Sequence, residues 1–174
     1  MYLLIVPNQL LVDTLYIVDK VTIDSSSFIQ AIILALFVTP LAIIFGYFAK
    51  KASKYRITGK EILWTLPFTF MILGGLSAYL PIFMENGQVL AQWIFSGNSS
   101  AYLLVILIIK CLLVCLLLRS GAYGGTLMPS FAIGVGTGYL ITVLLGNFGF
   151  SHSLSLGMLL GATVFLGTML DPPP

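Results

Sequence analysis

The chain has 174 residues, 59% hydrophobic and only 8% charged, with a formal net charge of +2 and a mean hydropathy of +1.06. Soluble domains carry roughly a quarter charged residues, so this composition excludes an ordinary water-soluble protein. The small net charge gives no argument for nucleic acid. Apolar segments long enough to cross a hydrocarbon core of ~30 Å recur along the chain, which makes the expected fold an all-α, polytopic transmembrane one with several broken or short helices rather than a β-barrel.

Residues 1–26 mix apolar positions with Asp13, Asp19, Lys20 and Asp24, and Pro7 interrupts them. They read as the tail of a preceding element followed by a loop. Without a basic start or a small-residue cleavage site, they do not form a signal peptide. The second unit is 27–174. Asp24 and Ser25 to Ser27 are N-cap candidates for a helix over 28–53, in which Pro40 and Gly46 are tolerated kink points. Lys50, Lys51, Lys54, Arg56 and Lys60 then concentrate positive charge in the connection 50–60, which the distribution of basic residues assigns to the cytoplasm. A second apolar segment over 61–79 is broken by Pro67, loosened by Gly74 and Gly75, and stopped near Pro81. Residues 88–95 form a helix too short to span.

The run 101–118 is the longest nearly continuous apolar stretch, interrupted by Lys110 and closed by Arg119. A lysine at mid-span costs roughly 2.5–3.5 kcal/mol on insertion scales, so Lys110 has to face protein or water. It either adds positive potential along an anion route or is satisfied by backbone carbonyls. Arg119 reads as an interfacial end residue. Cys111 and Cys115 share one helix face and read as packing thiols.

The stretch Ser120-Gly-Ala-Tyr-Gly-Gly-Thr-Leu-Met-Pro129 places a glycine pair between two apolar segments. A helix over 126–145 follows it, with Pro129 in its first turn, where a missing N–H is harmless. The first amides, on Thr126, Leu127 and Met128, lie at the positive end of the helix dipole with no intrahelical partner. Inside a bilayer an unsatisfied N–H costs several kcal/mol, so such a helix start calls for a ligand, and an anion suits it. Gly134, Gly136 and Gly138 in this helix, and Gly157 and Gly161 in the last one over 154–170, are small residues at close-packing spacing. The string from Gly134 to Gly138 lies inside an apolar helix with no strand before it, so it is not a dinucleotide fingerprint.

Catalytic or metal-binding chemistry is not expected. The carboxylates Asp13, Asp19, Asp24, Glu61, Glu85 and Asp171 fall at loops and segment ends, and His152 is the only histidine, in a short polar loop. No enzyme activity, metal or cofactor is therefore assigned.

The central stretch, in the form Gly125-Thr-Leu-Met-Pro129 followed by Gly134, resembles the second-half filter segment of the CLC chloride channels and proton-coupled chloride antiporters, a voltage-gated channel family. The order of elements from Ser27 to Leu170 is similar as well. The resemblance implies an anion site built from Gly125, Thr126, Leu127, Met128 and Pro129, with the amides of Thr126 and Leu127 on chloride and Gly124 and Gly125 giving clearance. It also implies that Lys110 is a basic residue of the anion pathway, that the full-length protein is a homodimer, and that its partners are chloride and the lipid bilayer of the cell membrane. Leu127 stands where the family has phenylalanine, and Tyr123 where proline or a small residue is usual. The family's first-half motifs do not occur, and Gly59-Lys-Glu61 is followed by Ile62 and Leu63 rather than Gly-Pro. The expectation is a fragment of the second repeat that needs a first repeat to conduct. Asp171-Pro-Pro-Pro174 closes the sequence without a polar tail, which fits a fragment. Two other readings remain from the residues alone: a small-solute permease of another kind, or a non-transporting structural membrane fragment whose glycine turn is only a tight connection.

Overall fold

The computed structural model describes residues 25–83, 87–96, 102–122, 126–147 and 153–170. Six α-helices are found among them: α1 (Ser25–Lys54), α2 (Ile62–Tyr79), α3 (Gln88–Phe95), α4 (Leu103–Arg119), α5 (Leu127–Asn147) and α6 (Leu154–Leu170). Short 3-10 turns, Gly59–Glu61 and Pro81–Phe83, flank α2. No strand occurs among the described residues. Among the described residues three helices are long and apolar enough to cross a membrane: α1, α2 together with its leading turn, and α5.

α5 is the axis of the assembly. It is buried on more than one side and joins two cores. Ala132, Val135 and Tyr139 pack with Leu90, Ala91 and Ile94 of α3, Leu103 and Leu107 of α4, and Met158 and Ala162 of α6. Ile133 packs on another side with Val114 of α4, Phe165 of α6 and the stripe Leu34, Val38, Ala42, Phe45 and Ala49 of α1. That stripe recurs every three or four residues, so α1 turns one face inward and leaves the other outside.

The glycines set how closely α5 and α6 approach. A Cβ on Gly134 would lie 2.8 Å from the Gly161 carbonyl oxygen, and one on Gly161 would lie 2.6 Å from the Gly138 Cα. Only residues without side chains let two backbones meet this way. Gly136 faces α4 instead, where a Cβ would strike the Leu107 side chain. Gln30, buried near the start of α1, donates to Thr142 Oγ1 of α5 (3.4 Å) and to the Ser153 carbonyl (3.1 Å), and Thr142 Oγ1 donates on to the Gly138 carbonyl (2.8 Å). These bonds tie α1 to the last turns of α5 and to the start of α6.

The structure corrects two boundaries. Pro67 does not break the second segment: α2 runs unbroken through it. The proline is exposed and removes one hydrogen bond, a loss that an 18-residue helix absorbs. Ser25 to Ser27 do not precede the first helix but form its first turn. Asp24, His152 and Asp171 to Pro174 lie outside the described residues.

Candidate functional site

The turn between α4 and α5 begins with a glycine-dependent helix end. The Ser120 amide donates to Leu116 O (2.9 Å) and the Ala122 amide to Leu117 O (3.2 Å), while Gly121 takes φ +102°. This is the wrapped helix end in which the left-handed residue is almost always glycine. The Ser120 hydroxyl adds bonds to Leu116 O and Leu117 O (2.9 and 3.1 Å), so these two carbonyls near the end of α4 are satisfied locally.

Gly125, expected to give clearance, lies with Tyr123 and Gly124 outside the described residues. Beyond them Thr126 precedes α5, and its carbonyl accepts both the Ser130 amide (2.9 Å) and the Ser130 hydroxyl (2.6 Å). The amides of Leu127 and Met128 come before that first helical bond, in the turn whose donors have no partner within an α-helix and which carries the positive dipole end. Pro129 is the third helical residue, where it sacrifices no bond. Burial divides this turn. Pro129 and Ser130 are buried, whereas Leu127 and Met128 are 50% and 42% exposed, so the helix mouth has one side against the body and the other open.

The buried side rests on a second helix start. Gly87, at φ +104°, precedes α3, and a Cβ there would come within 3.4 Å of the Met128 carbonyl and Pro129 Cα and within 2.8 Å of Ala132 Cβ. The positive ends of α3 and α5 therefore lie side by side. Lys110, midway along α4, is 3% exposed, and its ammonium donates to the Phe83 carbonyl at 3.2 Å, at the end of the turn that leads into α3. Of the residues singled out in the sequence, Thr126, Leu127, Met128 and Pro129 form the continuous mouth of α5. Lys110 supports the neighbouring entry.

Sequence reasoning passed over Gly121 and Gln30, and took Gly87 only as the marker ahead of the short helix. Gly121 carried a usable signal, a glycine just past the last basic residue of an apolar helix. Gly87 carried another, in Asn86-Gly87. Nothing in the local pattern marks Gln30, whose partners lie 112 and 123 residues away.

Cys111 and Cys115 are free, partly buried thiols packed beside the α1–α5–α6 core, as read from their spacing. Among the described residues no group of histidine, cysteine or carboxylate side chains is placed to hold a metal ion.

Residues 3–173 match the model of one protein family, described as voltage gated chloride channel. No curated protein and no solved structure matches the chain.

Proposed function

The chain belongs to the voltage gated chloride channel family, an integral membrane family of channels and transporters rather than enzymes, and from that premise we propose that it supplies part of a chloride pathway in which the first turn of α5 binds the anion. The observation that carries this reading is the mouth of α5. A buried helix starts there, with Thr126, Leu127 and Met128 preceding or opening its first hydrogen-bonded turn and the start of α3 set against it.

Backbone donors suit a halide, because they present partial positive charge at a fixed place and need no counter-charge. In this reading the amides of Thr126 and Leu127 face the ion, Gly125 keeps the approach clear, and Met128 and Pro129 hold the turn. Replacement of the family's phenylalanine by Leu127 leaves these donors intact and alters the width of the approach. Lys110 contributes its charge from the neighbouring α4, while its bond to the Phe83 carbonyl anchors the turn ahead of α3. The open flank at Leu127 and Met128 is the side on which a first repeat completes the site, as in transporters whose inverted repeats bring broken helices to a shared midplane. The basic connection 50–60 faces the cytoplasm, and the complete protein is a dimer.

The test is chloride efflux from liposomes containing the full-length protein. Gly125→Trp abolishes efflux while leaving the protein folded, and flux indifferent to that change would falsify the assignment. Proton movement stoichiometrically tied to chloride identifies an antiporter, and its absence a channel.

A further inference from the structure

Away from the mouth of α5, α1 and α4 enclose a groove of about 670 Å³. Its floor is Phe45, Ile133 and Phe165, all buried, with Thr137, whose hydroxyl bonds the Gly134 carbonyl at 3.0 Å. Its walls are apolar side chains that stand open, among them Ile44 and Phe48 of α1 and Ile108 and Leu112 of α4, each at least 52% exposed. One end differs. Lys51, Tyr55 and Arg119 gather there, where the Ile57 amide donates to the Arg119 carbonyl (2.8 Å) and fastens the basic connection to the end of α4.

Both helices run toward that end. At 1.5 Å per residue the wall from Leu104 to Arg119 extends about 22 Å and that from Leu41 to Lys51 about 15 Å, and one leaflet of a ~30 Å hydrocarbon core is about 15 Å deep. The α1 wall therefore matches the depth of a single leaflet and the α4 wall runs beyond it, with the cations together at the shared end, where a headgroup would lie. Its lining includes two basic residues and no acidic one. An arginine fork and an ammonium are the donors that phosphate oxygens favour, and a tyrosine at the same level fits an interface.

We propose that the groove between α1 and α4 holds an acyl chain of an anionic phospholipid whose phosphate is bound by Lys51 and Arg119. The assignment is independent of the anion reading at Thr126 and rests only on the membrane setting and on the charge at one end of an apolar trough. Lipid in this position bridges the long first helix to the helix that leads into the turn at Gly121, so the leaflet's composition bears on how firmly α1 is held.

Native mass spectrometry of the full chain in mild detergent, titrated with phosphatidylglycerol or phosphatidylcholine of matched acyl chains, tests it. Juxtamembrane cations are each worth about fivefold in attraction to anionic lipid, so with two of them wild type retains phosphatidylglycerol roughly twenty-five-fold better than phosphatidylcholine. Lys51→Gln with Arg119→Gln removes that preference. Lys50→Gln with Lys60→Gln, exposed positions of the same connection outside the groove, keeps it. Ile108→Trp, which fills the trough, lowers retention of both lipids. Equal retention of the two lipids by wild type, an undiminished preference in the Lys51/Arg119 variant, or a wild-type dimer that Ile108→Trp splits would each overturn the proposal, the last by giving the groove to a second copy.

Discussion

α2 and α5 are comparable in length and both are apolar enough to span a membrane, yet they have opposite surroundings. Ten of the 21 residues of α5 are buried, against one, Thr69, of the 18 in α2. Their glycines part company in the same way. Added Cβ atoms at Gly134 and Gly138 would collide with the backbone of α6, whereas Gly74 and Gly75 have nothing within 4 Å. α2 meets the rest of the fold at its first turn, where the Thr65 hydroxyl reaches Ser120 O (3.4 Å). Leu63, Trp64, Phe68 and Met71 point outward. Apolar character makes a helix fit for the bilayer; whether it faces lipid or protein depends on what its small residues touch.

Three substitutions sharpen this contrast. The largest effect falls on the glycine seam: Gly138→Leu forces a side chain onto Gly157 and Gly161 of α6 and destabilises by about 3 kcal/mol or more, read as a large fall in thermal midpoint in detergent. Next, Gln30→Leu removes the donor to Thr142 and Ser153 and costs about 1–3 kcal/mol, the range for leaving buried polar groups unpaired. It is measured as faster amide exchange at the start of α6. The smallest effect, with opposite sign, is Gly75→Ala, which raises helix stability by about 0.5–1 kcal/mol through lost backbone freedom. A midpoint lowered by that change in the full-length protein would break the comparison, by showing that α2 is covered there.

Much of the helical layout was legible in the residues. The short helix at Gln88–Phe95 and the last at Leu154–Leu170 fall where the sequence places them, because polar or glycine-bearing breaks bound a uniform apolar run on both sides. Pro67 misled, since proline weighs heavily as a breaker in water and lightly in a long exposed membrane helix. The candidate mouth was readable from Thr126 to Pro129, where a proline inside a first turn follows glycines. The support behind it was not, for Gly87 and Lys110 reach that turn only through segments distant in the chain.

Hydropathy, the placement of glycine and proline, and the clustering of basic residues in one connection were enough to determine an all-helical membrane chain with an unusual helix start. These are local properties, set by a residue and its near neighbours. Tertiary structure alone decided that α5 lies at the centre and α2 at the edge, that Lys110 bonds Phe83, and that Lys51 and Arg119 close one end of a groove. Each depends on which faces of separate helices meet, and in lipid that choice follows from close packing and matched polar groups rather than from apolarity, which all these helices share.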